Sequence, residues 1–457
     1  MNANNFKRII IIGIIFSFLY SFFVVFNFDR TNYSKYEIPY NNLIKGDSAH
    51  YFLKAEIFKE NLDSNQALDL AGEYQASILY PISLGFFYNF IDEEIFFEKK
   101  INQSKVVNTT KKKILFLFFQ ISIFFYSVFF LIKKLNLEIS SNFTQLAALF
   151  LIFEPSIFPY HSMFMTESFY LSFINFILGY LVSPSLKLFD NFLFGFVIGL
   201  SYLLKTVSLF LIIPISIYLF FCFKKKFLLS FLAIILGYSL VLGFLGYSNY
   251  QRSNLFYITP TQSLDAPYWY MSHIIDSKTK NISEEAAYKQ KIKKEKKWIK
   301  QNNINLLVES DRIKLAKYKQ NYTNQIFKDN PLELVKYIFN KSFQFLIVSP
   351  TWQFKYFKMN FVDRDYWKTN QNNFLLITDI IYSFFLYLIL LAGFFHSQKF
   401  LNRKFWFLLF FLCLYFFFLM SWTGVGRYNL PIICLSALYF SFGIRFIYEN
   451  LIKKFVN

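Results

Sequence analysis

Apolar residues come in long unbroken runs divided by short basic or polar stretches. Runs able to cross a bilayer, which takes about 20 residues each, are 9–26, 114–132, 143–158, 163–182, 191–204, 206–223, 227–246, 374–395, 405–421 and 430–447. Two further runs, 78–91 and 335–348, are short and interrupted. The pattern predicts an all-α polytopic membrane protein, a bundle of about ten transmembrane helices. The first run follows Lys7-Arg8 and has no small-residue cleavage pattern after it, so it reads as an uncleaved span.

Basic clusters set the expected orientation, because lysine and arginine collect on the cytoplasmic side. Lys7-Arg8, Lys133-Lys134, Lys224-Lys225-Lys226, Lys399/Arg403/Lys404 and Lys453-Lys454 fall on one face only if 78–91 and 335–348 do not cross. Both termini are then inside, and Lys111-Lys112-Lys113 is the one cluster left outside. Three regions follow. Residues 1–246 form an N-terminal transmembrane module with a first outer loop, 27–113. Residues 247–373 form a second outer region, and 374–457 the last transmembrane helices. The short runs are expected as interfacial helices in the two outer regions, and 284–319 as solvated helix.

Composition supports this class. Of 457 residues, 55% are hydrophobic and only 17% charged, too little charge for a soluble domain of this length. The net charge of +19 would suggest nucleic acid in a soluble protein; here the basic residues lie mostly at span ends and in one hydrophilic stretch, so membrane orientation accounts for them. Cys222, Cys413 and Cys434 all lie inside apolar runs, where they form neither a disulfide framework nor a zinc pattern. No internal repeat is evident.

Candidate chemistry gathers at the outer ends of the spans. Asp47, in Gly46-Asp47-Ser48, follows the first span, with Tyr51 four residues on. A carboxylate near a membrane helix is costly unless something uses it, although Gly-Asp-Ser is also turn and N-cap chemistry. Glu167 opens the fourth span after the Pro155 and Pro159 turn; its other reading is an acid favoured by the helix dipole. Glu154 competes with it. On the predicted topology Asp47 and Glu167 share the outer face, where two acids can hold a divalent cation or divide the roles of base and orienter. Lys205, between the fifth and sixth spans, either binds an anion such as a lipid phosphate or snorkels to headgroups. Arg252 begins the second outer region, and Arg427-Tyr428 precedes the last helix on the same face.

This ordered set resembles the GT-C superfamily of polyprenyl-phosphate-sugar glycosyltransferases, nearest the aminoarabinose transferase and protein O-mannosyltransferase group. The likeness covers most of the chain to Arg252 and returns at 427–431. Asp47 with Tyr51 matches the catalytic aspartate and the tyrosine four residues later; 78–91 matches an interfacial helix; Glu167 stands where the aminoarabinose enzymes usually have aspartate; and Lys205 matches a basic residue between the fifth and sixth spans. Asn249-Tyr250-Gln251-Arg252 loosely echoes an arginine-asparagine-tyrosine motif. Ser48 follows Asp47 where the family often has a second acid, and Ile78-Leu79-Tyr80-Pro81 stands where the aminoarabinose enzymes have Glu-Lys-Pro.

The resemblance implies inverting transfer of a sugar from a polyprenyl-phosphate donor to a glycan, lipid or protein hydroxyl. Asp47 would be the base. Glu167 would orient it, directly or through a divalent metal ion held with Asp47. Tyr51, Lys205, Arg252, Arg427 and Tyr428 would bind the donor and its leaving phosphate. The implied setting is the periplasmic face of a bacterial inner membrane. Rival readings are a lipid-linked glycan flippase, and an envelope polymerase or ligase using a diphosphate-linked lipid.

Overall fold

The computed structural model describes residues 3–28, 31–33, 39–41, 51–52, 54–55, 78–89, 110–259, 265–306, 308–348, 350–351, 370–423 and 426–452. Apolar runs become helices because a backbone away from water must satisfy its hydrogen bonds internally. In chain order the bundle helices are α1 (Ala3–Phe28), α2 (Leu79–Asn89), α3 (Thr110–Leu135), α4 (Ser141–Phe153), α5 (Thr166–Val182), α6 (Leu188–Leu204), α7 (Ile212–Phe223) and α8 (Phe227–Ser253). Later in the chain come α13 (Asn370–Ser397), α14 (Arg403–Met420), α15 (Leu430–Leu435) and α16 (Ala437–Ile447). Among the described residues, five helical stretches are long and apolar enough to cross a membrane: Arg8–Asn27, Lys113–Leu135, Thr206–Gln251, Phe374–Ser397 and Arg403–Thr423. The chain is thus built as a helical membrane protein, and its outer flanks carry exposed apolar side chains such as Leu19, Phe244 and Phe384.

Several elements depart from the expected runs. The run 143–158 ends as helix at Phe153, because Glu154 turns to extended backbone ahead of Pro155, which has no N–H to offer. Residues 158–162 then form one short 3₁₀ turn, buried from Pro159 to Ser162. The run 206–223 divides into a 3₁₀ turn, Thr206–Phe210, and α7. The last run breaks at Ser436, between α15 and α16. The segment after α1 adds a feature that an all-helical reading lacks: an antiparallel strand pair, Thr31–Tyr33 with Pro39–Asn41, with Asn32 opposite Tyr40. Helix α2 packs on α3 and α6, and Tyr80 and Leu84 are fully buried there.

Glycine sets two of the closest crossings. A Cβ on Gly195 of α6 would strike the carbonyl oxygen of Ile234 on α8, and one on Gly237 of α8 would strike that of Phe192. The same reciprocal contact joins Gly393 of α13 to Tyr439, and Gly443 of α16 to Ile389. Lipid offers no hydrophobic drive between helices, so close backbone contact supplies much of the association.

Between α8 and α13 the chain folds as α9 (His273–Lys280), α10 (Glu284–Gln301), α11 (Glu309–Asp329) and α12 (Pro331–Leu346). Ser283 caps α10 by accepting from the Ala286 N–H. A buried charged cluster ties these helices together. Lys319 Nζ lies 3.2 Å from Glu295 and 3.5 Å from Asp265, the Tyr268 hydroxyl donates to Glu295, and Lys291 Nζ donates to the Tyr268 carbonyl at 2.7 Å. Helix α12 buries Tyr337 and Phe345 but exposes Leu332, Val335, Phe339 and Phe343 along one side. The region rests on the end of the bundle: Trp422 packs against the Met271, Ile275, Ile326 and Tyr337 cluster, and the Asn429 side chain donates to the Phe345 carbonyl.

Candidate functional site

The site is built on the segment where α4 stops. Irregular backbone inside a membrane protein must be satisfied by protein groups. Two side chains do this. Glu154 Oε2 accepts from the N–H groups of Ser156 (2.7 Å) and Ile157 (2.9 Å) and from the Ser156 hydroxyl, while its other oxygen accepts from Tyr382 at 2.6 Å. Gln120 of α3 directs its amide nitrogen at the carbonyls of Tyr160, His161 and Met163, and its oxygen accepts from Tyr80 at 3.1 Å. Glu154 therefore holds the turn together. Its four donors leave it a structural part, and Glu167 is the acid that faces a cation.

Glu167 lies in the first turn of α5 and is buried. Lys205 is the residue that ends α6, where the backbone turns extended (φ −145°, ψ 122°). An acid at a helix N-terminus and a cation at a C-terminus are each favoured by the dipole. The two meet: Lys205 Nζ is 2.9 Å from Glu167 Oε1, with side chains 11% and 5% exposed. Two rings flank the ammonium, Tyr428 at 5.1 Å and Tyr170 at 5.7 Å to the centroid. Such contacts add most where water is excluded. Hydroxyls fix the turn after Lys205. Tyr170 and Ser208 share a hydrogen bond of 2.8 Å, Tyr238 donates to Leu209 O at 2.7 Å, and Tyr415 donates to Val207 O.

Three of the residues singled out from sequence, Glu167, Lys205 and Tyr428, thus come together from three separate parts of the chain. Tyr51 is buried and meets Tyr80 edge to face at 5.1 Å; Tyr80 in turn meets Phe169, two residues past Glu167, at 5.5 Å. Asp47 lies outside the described residues, as do the side chains of Arg252 and Arg427. The backbone of Arg252 is in the last turn of α8, and that of Arg427 is in the 3₁₀ turn Gly426–Asn429.

The described partner of Glu167 is an ammonium. A divalent cation placed there would share one carboxylate with a lysine that repels it. No group of three His, Cys, Asp or Glu side chains able to hold a metal occurs among the described residues. Among the described residues Glu167 and Lys205 form an ion pair; the metal expected between Asp47 and Glu167 has one of its ligands outside the described residues.

Sequence reasoning missed Tyr170, Ser208, Tyr415 and Gln120. Two had a signal. Tyr170 stands three residues after Glu167, on the same helical face, and Gln120 is the one amide inside the run 114–132. Ser208 and Tyr415 had none, since only packing brings them to Lys205.

Comparison of the chain with family models, with curated proteins and with solved structures finds no match.

Proposed function

We propose that this protein is a membrane-embedded glycosyltransferase of GT-C type, moving a sugar from a polyprenyl-phosphate donor to an acceptor hydroxyl. The observation that carries the reading is the convergence of Glu167, Lys205 and Tyr428 at one end of the helical bundle. A buried ammonium held between two tyrosine rings and one carboxylate is a ready partner for a lipid phosphate. Glu167 holds Lys205 in place in the absence of donor. When the donor enters, its phosphate takes a share of that cation and draws stabilisation as negative charge develops on it; this kind of preorganised electrostatics is usually the largest catalytic contribution.

In this reading Asp47 takes the proton from the acceptor hydroxyl as oxygen attacks the anomeric carbon. The bond from that carbon to the phosphate oxygen breaks, and polyprenyl phosphate leaves with the electron pair. Tyr51, Arg252 and Arg427 complete the donor site. About ten helices, a site on the outer face and a bacterial inner membrane are parts of the same proposal. A lipid leaving group requires a site open to the bilayer, which accounts for an enzyme made of membrane helices.

The test is sugar transfer by purified protein in detergent, using a radiolabelled polyprenyl-phosphate sugar and scoring release of polyprenyl phosphate. Asp47→Asn should lose about 10²–10⁴-fold in rate, the typical contribution of a general base, while still binding donor. Lys205→Ala should weaken donor binding more than Lys205→Arg. Full transfer by Asp47→Asn at equal folded protein removes Asp47 from the mechanism. Donor carried across vesicles without cleavage would make the protein a transporter.

A further inference from the structure

A second site lies on the outer region, apart from the Glu167–Lys205 pair. Helix α11 sets Lys314, Lys317, Tyr318, Asn321 and Tyr322 along one face, at the three- and four-residue spacing that makes helical neighbours. Trp298, near the end of α10, closes the groove they form, which has a volume of about 550 Å³. Its indole stacks on Tyr318 with ring centroids 4.5 Å apart and planes 17° from parallel. Lys294 Nζ stands 5.5 Å from the Tyr322 ring centre.

The chemistry of the wall selects a ligand class. Half-buried rings offer flat apolar faces of the kind that pack against the C–H faces of a pyranose. Exposed Lys317 and Asn321 have no side-chain hydrogen-bond partner among the described residues, whereas Lys314 is engaged by Asp311 at 2.8 Å. Between 284 and 329 there are twelve Lys and Arg against six Asp and Glu, so the groove sits in a positive field. A lipid surface is the other anionic candidate. The apolar side chains that would enter lipid are on α12, at Leu332, Val335, Phe339 and Phe343, and the groove is not part of that face.

We infer that the groove formed by Trp298, Tyr318 and Tyr322 with Lys317 and Asn321 binds an acidic saccharide. The rings take the sugar face, Asn321 bonds its hydroxyls, and Lys317 pairs with its carboxylate. The inference holds whether or not the protein transfers sugar, because binding is read without turnover.

The full chain in detergent is titrated by calorimetry with an oligogalacturonide, with a neutral maltooligosaccharide of equal length, and with phosphatidylglycerol vesicles. The acidic sugar should bind and weaken with added salt, and the neutral one should bind at least about tenfold more weakly, a difference of about 1.4 kcal/mol. Trp298→Ala should abolish binding. Because that change also removes a packing contact, Lys317→Gln and Asn321→Ala, both at exposed positions, are measured beside it. Each should weaken the acidic sugar several-fold with an unchanged melting temperature. Absence of saccharide binding, equal affinity for both sugars, or indifference to Lys317→Gln and Asn321→Ala would each overturn the inference. So would vesicle binding that depends on Lys317 when neither sugar binds, which would make the groove a lipid contact.

Discussion

Lys205 Nζ lies 2.9 Å from Glu167 Oε1, so the residue that ends α6 is tied to the first turn of α5. The pair sits between Tyr170 and Tyr428 and is nearly shut off from water. Removing one partner of a buried pair leaves the other uncompensated, at a cost of about 3–5 kcal/mol. Glu167→Gln and Lys205→Met should each lower the melting temperature in detergent by several degrees, and the double variant should lose less than the two single losses added. Additive losses would mean that the two charges do not interact.

The glycine crossings give a contrast within one helix. Gly237→Ala places a methyl group on the Phe192 carbonyl and should cost about 1–3 kcal/mol, as overpacking does. Gly243, two turns along α8, has nothing within 4 Å of an added Cβ. Gly243→Ala should be neutral or slightly stabilising, since alanine is the better helix former by about 1 kcal/mol. Thermal melts of both variants in one detergent decide it, and equal effects would place the α6–α8 contact elsewhere.

Lys291 carries a pH prediction for the α9–α12 region. Burial pushes its amine down from the usual 10.5 to about 8; Glu295 opposes the shift and Lys319 adds to it. The groups around it are Tyr268, Trp269, His273 and Tyr288. The unfolded chain therefore holds this proton to higher pH than the native one. Stability then rises with pH from about 8 towards 10.5. Proteolysis of the α9–α12 region should slow between pH 7.5 and 9.5, both rough bounds set to bracket the lower titration, and Lys291→Met should remove the trend. A wild-type rate that is flat or rises across that window refutes it.

Orientation is tested by labelling. Lys404 donates to the Phe221 carbonyl at 2.8 Å, which joins the basic turn before α14 to the end of α7, next to Lys224 to Lys226. These clusters share one end of the bundle, opposite Glu167. With native cysteines replaced, a membrane-impermeant maleimide added outside should modify Asn303→Cys and spare Lys225→Cys. The reverse pattern would move the Glu167 site to the cytoplasmic face and exclude the proposed reaction.

Much of this protein was fixed by local terms. Unbroken apolar runs dictated helices, since a backbone in lipid can bond only to itself. Pro155 ended one of them, and the edges of the runs placed Glu167 in a first turn and Lys205 at an end. Each of these facts needs only neighbours in the chain. The contact between Glu167 and Lys205 does not follow from them: the two are 38 positions apart, and from sequence Glu167 was set to orient Asp47 and Lys205 to meet a phosphate or the headgroups. Packing of α5 against α6 brings the pair together. Packing also separated Glu154, consumed by the turn it supports and by Tyr382 more than two hundred residues on, from Glu167. The strand pair at Thr31–Tyr33, the break at Ser436 and the groove at Trp298 belong to the same class. Each depends on which surfaces meet, and that is set by close packing between distant segments, which a one-dimensional pattern does not contain.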